Sequence, residues 1–144
     1  MKQDSLHRFA KRISLTLPLF GSTVRAGFPS PADDHLDRTL DLNEHLIEHP
    51  AATFFCRIKG DSMQGIGIMD DTILVVDRAI KPKHGDIVLA AIDGELTCKV
   101  LDTHHSCLRA ANEKYSPIHI TENMDCVIEG VVTSWITESH VRPS

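Results

Sequence analysis

The dipeptide Asp93-Gly94 restricts the fold of this chain more than any other sequence feature, because it lies directly between two strand-like segments. These segments are Asp86–Ile92 and Glu95–Leu101, and both are rich in apolar residues. Asp-Gly readily adopts the positive φ angles of a two-residue turn, so the sequence predicts an antiparallel β-hairpin here. In that hairpin Val88 lies opposite Lys99.

Other segments after Ala51 have the same short, strand-like composition. Thr53–Ile58, Thr72–Asp77 and Cys126–Ile136 are rich in Val, Ile, Phe and Thr, and Gly or Asp residues separate most of the segments. With 144 residues, the chain has room for one ordinary hydrophobic core. We therefore expect a mostly β protein with a small antiparallel fold that curls on itself.

The N-terminal third of the chain has a different character. Residues 5–17 carry apolar side chains at a helical spacing, which predicts one short amphipathic helix. Residues 21–34 are rich in Gly, Ser, Pro and Asp, which is typical of an exposed, extended arm. Asp41 followed by Glu44 is an N-capping pattern that predicts one or two helical turns.

Lys99 is an unusual residue for its predicted position in the hairpin. Strand alternation places Cys98 and Val100 on the opposite face, and Lys99 itself lies beside Val88. Burial favours the neutral amine, and lowering a lysine pKa from about 10.4 to ~7 corresponds to about 4 to 5 kcal/mol. Either the side chain extends along the sheet and keeps its ammonium in water, or the protein uses the neutral amine as a base.

Ser62 supplies a hydroxyl that such a base could activate. The run Lys59-Gly60-Asp61-Ser62-Met63 places it just beyond a predicted strand, in a turn that contains glycine. A serine hydroxyl is a weak nucleophile until a neighbouring base removes its proton, and a desolvated lysine can do this in place of histidine. Ser62 and Lys99 therefore predict a minimal catalytic dyad.

The remaining polar clusters are interpreted as structural. The pair His104-His105 has no carboxylate or third ligand at metal spacing, so we expect solvated histidines, with no metal and no cofactor. The acidic pairs Asp33-Asp34 and Asp70-Asp71 fall in turn-like segments, where Asp is favoured for local hydrogen bonds.

Charge and cysteine content restrict the setting of the protein. The formal net charge of -5 argues against strong direct binding of nucleic acid. The four cysteines are scattered without metal or disulfide spacing, which is typical of reduced thiols in a cytoplasmic protein. No stretch approaches the roughly 20 apolar residues that span a bilayer, so we expect no membrane association. Ser14, Thr16 and Pro18 interrupt the segment that most resembles a secretory signal.

The order of these motifs resembles the LexA-like family of self-cleaving serine peptidases. The motifs that carry the resemblance are Gly60-Asp61-Ser62-Met63, His84-Gly85-Asp86-Ile87-Val88, Asp93-Gly94-Glu95 and Lys99. Within this family, the chain is most similar to the UmuD-like group of SOS mutagenesis proteins. That similarity rests on Pro18-Leu19-Phe20, Ala26-Gly27-Phe28-Pro29-Ser30-Pro31-Ala32, Asp41-Leu42-Asn43 and His49-Pro50.

The resemblance implies a specific self-cleavage reaction. Ser62 would attack the carbonyl of Ala26 with Lys99 as the base, and the bond between Ala26 and Gly27 would break. Backbone N–H groups near Ser62 would stabilise the oxyanion. Small side chains on both sides of the bond allow the arm to lie close to the catalytic residues.

The resemblance also implies partners and a division of the chain. A RecA filament on single-stranded DNA would stimulate cleavage during the SOS response, and the shortened product would act as a homodimer with a UmuC-like translesion polymerase. We therefore divide the chain into an N-terminal arm with the self-cleavage site, residues 1–40, and a LexA-like Ser/Lys peptidase domain, residues 41–144.

Two other functions remain open from the sequence. A LexA-type regulator would use the same peptidase domain, but the 26 residues before the expected cleavage site are too few for a helix-turn-helix domain with its own core. A non-catalytic interaction subunit that binds the polymerase and RecA would keep the fold without the reaction.

Asp70-Asp71 stands where relatives often carry Gly-Asp, which we expect to reshape the loop after Ser62.

Overall fold

The computed structural model describes residues 14–20, 24, 26–27 and 36–139. The chain separates into two compact units, Met1–Glu48 and His49–Ser144, and each unit is described on its own. Most of the arm predicted at residues 21–34, including Asp33-Asp34, lies outside the described residues.

A two-stranded ribbon and a short helix form the described part of the first unit. Strand β1, Leu17–Phe20, pairs in antiparallel orientation with strand β2, Leu36–Leu40. Helix α1, Leu42–Leu46, begins after Asp41, whose carboxylate accepts hydrogen bonds from the next backbone N–H groups at 3.0 and 3.4 Å. The capping pattern therefore predicted this helix correctly.

The helix predicted over residues 5–17 is wrong at its C-terminal end. Its first nine residues lie outside the described part of the chain, but residues 14–16 are not helical and Leu17 begins strand β1. The Asp41 carboxylate accepts a hydrogen bond from the Leu15 N–H at 3.2 Å. This side-chain acceptor satisfies a backbone donor that a helix would otherwise have used.

Within residues 49–139, seven strands form one antiparallel sheet. The strands are β3 Thr53–Arg57, β4 Ile73–Asp77, β5 Ile87–Ile92, β6 Glu95–Asp102, β7 Cys107–Arg109, β8 Ile118–His119 and β9 Cys126–Ile136. Their order across the sheet is β3-β4-β9-β5-β6-β7-β8, so β9 lies between β4 and β5. The expected mostly β, antiparallel fold is confirmed.

The hairpin formed by β5 and β6 has the register that the sequence predicted. Val88 pairs with Lys99, and the turn residues Asp93 and Gly94 have φ angles of 49° and 85°. Positive φ at both positions is the requirement of a tight hairpin turn with the right-handed twist of the flanking strands. The turn therefore determines which residue faces Lys99.

The sheet buries apolar side chains on both faces of strand β5. Val88 and Ala90 belong to one buried cluster, whereas Leu89 belongs to another. Strand β9 carries a β-bulge opposite β4 and another opposite β5, and bulges increase the local bend and twist of a sheet. Gly130 lies at one of these bulges, and a Cβ there would overlap Val76. The bulges thus help the sheet to curl around its core.

Candidate active site

Ser62 lies in a turn whose backbone is anchored on both sides. Strand β3 ends at Arg57, and Gly60 adopts a left-handed φ of 98° that turns the chain. Immediately after Ser62, Met63 is fully buried in the main apolar cluster, together with Ile68. The hydroxyl therefore projects from a turn that the core holds in place.

Lys99 lies in the middle of strand β6 and is almost completely buried, with 7% of its surface exposed. Its Nζ lies 3.0 Å from Ser62 Oγ, 2.8 Å from Thr97 Oγ1 and 3.1 Å from the Cys98 carbonyl oxygen. The structure thus brings together the two side chains that the sequence paired.

The surroundings of Lys99 favour the neutral amine. Among the described residues, no carboxylate lies within ion-pair distance of its Nζ, and all of its hydrogen-bond partners are neutral oxygens. Burial lowers the pKa of Lys99 below its ordinary value. An uncharged amine has a lone pair available to accept a proton from a hydroxyl.

Thr97 is part of this arrangement, although the sequence analysis did not identify it. Residues two apart on a strand lie on the same face, so Thr97 and Lys99 project together from β6. Its Oγ1 is 2.8 Å from Nζ and helps to fix the direction of the lysine side chain. The signal available in the sequence was a polar residue two positions before the buried lysine.

A cleft of about 310 Å³ opens beside Ser62. Leu74, Leu89 and Leu96 form much of its apolar lining, and Thr97 lies at the same wall. An apolar cleft with a few polar groups is the usual form of a site that binds an extended peptide or a small ligand. A nucleophile, a base and a space for substrate therefore meet in one place.

Asp70-Asp71 holds the segment that leads into the Ser62 turn. Asp70 Oδ1 accepts a hydrogen bond from the Gly60 N–H at 2.8 Å, and Asp71 Oδ1 accepts one from Lys59 Nζ at 2.9 Å. Asp71 itself has a positive φ of 67°, as expected for an Asp in a tight turn. The structural interpretation of this pair is therefore confirmed.

A second polar cluster surrounds Asp102. Its residues His104 and His105 are exposed as expected, but the expectation that they have no carboxylate or third ligand nearby is wrong. His104 does have a carboxylate and a third group nearby, because ligand atoms of His84, Asp102 and His104 lie within 4.8 Å of one another. Spacing along the chain did not reveal this, since His84 comes from the segment before β5. The Gly85 N–H donates to the Leu101 carbonyl and brings that segment beside β6.

Asp102 and His84 Nδ1 in this cluster already have hydrogen-bond partners. The Asp102 carboxylate accepts hydrogen bonds from Arg109 Nε at 2.6 Å and from the His105 N–H at 3.0 Å. The Thr103 N–H donates to His84 Nδ1 at 3.1 Å. A metal ion would displace these bonds and lie close to a guanidinium, so the arrangement fits a structural polar cluster better than a metal site.

Ala26 and Gly27, the expected cleavage site, belong to the first unit. Both residues are exposed and lie in a bend of the chain. A Cβ at Gly27 would contact no atom within 4 Å. The cleavage site remains a prediction.

The cysteines form no disulfide, and the described helices are not of the membrane-spanning kind. Cys56, Cys98, Cys107 and Cys126 are all free, and burial raises the pKa of the Cys98 thiol to about 11. No helix in the described ranges combines the length and apolarity needed to cross a membrane.

Comparison with known proteins gives a family for the chain. Residues 18–133 match the family model described as Peptidase S24-like. The protein ImpA of Salmonella typhimurium is 56% identical over 88 residues, which are 61% of this chain and 61% of ImpA. The chain thus matches about three fifths of the length of ImpA.

Two further relatives are similar over most of this chain. The protein SamA of Salmonella typhimurium (strain LT2) is 45% identical over 125 residues, which cover 86% of this chain and 87% of SamA. The LexA repressor of Shewanella woodyi is 36% identical over 123 residues, which cover 83% of this chain and 59% of the repressor. The resemblance to the LexA-like peptidases and their UmuD-like group is confirmed. This chain belongs to the Peptidase S24-like family.

Proposed function

We propose that this protein is a self-cleaving serine peptidase in which Ser62 is the nucleophile and Lys99 is the general base. The observation that carries the proposal is the 3.0 Å separation of Lys99 Nζ and Ser62 Oγ, with the lysine buried and without a carboxylate partner among the described residues. Membership in the Peptidase S24-like family supports it, because that family consists in general of self-cleaving serine peptidases.

The reaction begins when the neutral Lys99 amine accepts the proton of Ser62 Oγ. The oxygen attacks the carbonyl carbon of Ala26, and the tetrahedral intermediate collapses to an ester between Ser62 and Ala26. Lys99 returns the proton to the leaving amine of Gly27. Water then hydrolyses the ester, with Lys99 again accepting and returning a proton, and the serine is restored.

Backbone amides of the Ser62 turn supply a site for the oxyanion. The N–H groups of Asp61, Ser62 and Met63 donate no hydrogen bond to any residue in the described part of the chain. Unused donors beside a nucleophile stabilise the negative charge that develops on the carbonyl oxygen during attack. Their position on a turn anchored by buried Met63 keeps them preorganised.

The proposed biological role is SOS mutagenesis. The protein would be cleaved between Ala26 and Gly27 when a RecA filament forms on single-stranded DNA, and the product would be a homodimeric subunit of a UmuC-like translesion polymerase in the cytoplasm. The similarity to the UmuD-like group supports this role. In this scheme residues 1–40 form the arm and residues 41–144 form the peptidase domain.

A LexA-type regulator is the second candidate, because the LexA repressor of Shewanella woodyi is 36% identical to this chain. The two candidates share the cleavage reaction and differ in what cleavage controls. The net charge of -5 argues against a strong DNA-binding surface and places the regulator second. Binding of labelled duplex DNA by the purified protein would favour the regulator.

Intact-mass analysis tests the proposed reaction. Wild-type protein and Ser62→Ala are incubated with and without RecA and single-stranded DNA. The first comparison tests the nucleophile, and the second tests the stimulus. We expect wild type to lose residues 1–26 and Ser62→Ala to remain intact. A cut at another bond would contradict the site, and cleavage of Ser62→Ala would contradict the mechanism.

A further inference from the structure

Residues 111–115, here called the clamp loop, follow strand β7 and form hydrogen bonds with the turn that carries Ser62. The Ala111 N–H donates to the Ser62 carbonyl oxygen at 2.8 Å, and the Gly65 N–H donates to the Ala111 carbonyl oxygen at 2.6 Å. Ala111 therefore holds the backbone of the turn at two positions, Ser62 and Gly65.

The side chains of the clamp loop hold Asp61, the residue immediately before the nucleophile. Tyr115 OH donates to Asp61 Oδ1 at 2.5 Å, and Lys114 Nζ donates to Asp61 Oδ2 at 3.0 Å. The amide of Asn112 donates to the Asp61 carbonyl oxygen at 2.9 Å. All three oxygen acceptors of Asp61 thus receive a hydrogen bond from one loop.

Gly65 shows that the clamp loop approaches closely enough to restrict the sequence. A Cβ at this position would overlap the Ala111 carbonyl oxygen, which is backbone and cannot rotate away. Glycine is required here by the approach of another backbone segment. The backbone contact between Gly65 and Ala111 is therefore a constraint on the sequence of the turn.

Lys99 and Ser62 differ in what holds them. Lys99 projects from a strand paired on both sides, by β5 and β7, whereas Ser62 lies in a turn without a sheet partner of its own. Asp70-Asp71 holds Lys59 and Gly60, but these hydrogen bonds do not reach Ser62. Buried Met63 anchors this turn on one side, and the clamp loop supplies the hydrogen bonds that hold Asp61 and Ser62 themselves.

We propose that the clamp loop is a positioning element for the nucleophile, in which Tyr115 fixes Asp61 and thereby holds Ser62 Oγ within reach of Lys99. Tyr115 and Asp61 are positioning residues, since they act through the backbone of Ser62. This inference rests on the proposed self-cleavage reaction. A displacement of a nucleophile by about 1 Å can reduce a reaction rate by up to about 100-fold.

Asp61 and Tyr115 have the protonation states that their hydrogen bond requires at neutral pH. Hydrogen bonds from Tyr115 and Lys114 lower the pKa of Asp61, so its carboxylate is ionised at neutral and alkaline pH. Asp61 in turn raises the pKa of Tyr115 above its ordinary value, so the phenol keeps the proton that it donates to Asp61 at neutral pH. Because Tyr115 contacts Asp61 and not Lys99, we expect a change in the clamp to alter the rate without moving the pH at which Lys99 titrates.

Tyr115→Phe tests the proposal with the loss of one hydroxyl. Glu113→Gln is the matched control, because Glu113 is exposed on the same loop and has no hydrogen bond to another described residue. First-order loss of the intact chain is measured by mass spectrometry from pH 6 to 10, and melting temperature is measured in parallel. We expect Tyr115→Phe to lower the alkaline plateau rate about tenfold with the midpoint pH unchanged, and Glu113→Gln to match wild type.

Gly65→Ala disrupts the opposite end of the clamp and is a second, independent variant. The overlap with the Ala111 carbonyl forces the two segments apart, so we expect an approximately 100-fold lower plateau rate in protein that remains folded at the assay temperature. A normal plateau rate in folded Tyr115→Phe and Gly65→Ala would overturn the clamp alone. Absence of cleavage by wild type at every pH would instead overturn the proposed function.

Discussion

Lys99 and Asp102 are both buried ionisable residues on strand β6, and their surroundings are opposite in kind. Lys99 is 7% exposed and Asp102 is 5% exposed. Arg109 Nε lies 2.6 Å from Asp102 and His105 Nδ1 lies 2.9 Å from it, so the carboxylate has cationic and polar partners. The Lys99 ammonium has none of opposite charge among the described residues.

The two surroundings shift the pKa values of the two groups for different reasons. The hydrogen bond from Arg109 is the main cause that holds the pKa of Asp102 well below its usual range, which stabilises the charged form. Burial lowers the pKa of Lys99, which stabilises the neutral form. The Asp102 site uses its charge to join structural elements, whereas burial of Lys99 favours the neutral amine that the proposed reaction requires.

Removal of the Lys99 amine should have the largest effect, a loss of self-cleavage, and tests the proposed role of Lys99 as a base. Lys99→Ala should lower the self-cleavage rate by about 1,000-fold or more, because no other base lies beside Ser62 in the described structure. Its melting temperature should be unchanged or higher, since a group that is costly to bury is gone. The measurements are intact mass and scanning calorimetry, with exposed Lys81→Ala as the control; a clear drop in melting temperature would assign Lys99 a structural role.

The pH dependence of cleavage should show which form of Lys99 reacts. Because its pKa is lowered, the neutral fraction should rise about tenfold per pH unit below that pKa, with a midpoint below the ordinary value of 10.5. The rate of cleavage of purified wild type is measured from pH 6 to 10. A constant rate from pH 7 to 10 would contradict a neutral-amine base.

Loss of the Asp102 charge should affect stability more than cleavage. Asp102→Asn removes the charged partner of Arg109 and should lower the melting temperature by about 5 °C or more. The pKa of Asp102 is lowered in the folded state, so its contribution is present above the unfolded pKa near 3.8 and disappears as the pH falls through the folded value. The difference from wild type should therefore shrink below about pH 4, with exposed Glu138→Gln as the control. An equal melting temperature at pH 7 would show that the cluster does not stabilise the fold.

Among these four predictions, the change His105→Ala should have the smallest effect. The imidazole hydrogen-bonds to Asp102 at 2.9 Å, but 67% of the side chain is exposed and Arg109 remains as the principal partner. We expect a melting temperature about 1 to 2 °C lower at pH 7. A loss as large as that of Asp102→Asn would mean that His105, rather than Arg109, organises the cluster.

Local sequence chemistry predicted the central hairpin, because the turn residues and the register depend on neighbours in the chain. Asp93-Gly94 requires a tight turn, and the pairing of Val88 with Lys99 follows by counting along the two strands. The N-cap at Asp41 was predictable for the same reason. The predicted helix before Pro18 was wrong from residue 14 onward, because strand pairing with β2 prevailed over a helical spacing of apolar residues.

Contacts between distant segments could not be predicted from spacing. The insertion of β9 between β4 and β5, the approach of His84 to Asp102 and the clamp loop at Ser62 all join segments far apart in the chain. Each depends on how the sheet bends and on which loops then meet. No local pattern of residue types records that outcome.

The sequence by itself determined the residue types of the candidate dyad, the turn before Ser62 and the position of Lys99 opposite Val88. Only the tertiary structure decided that Ser62 and Lys99 meet. Strands β3 and β6 are four positions apart in the sheet, which is about 19 Å if the sheet were flat. The 3.0 Å approach of Nζ to Oγ requires the curl of the sheet and the turn beyond β3, and both are products of long-range packing.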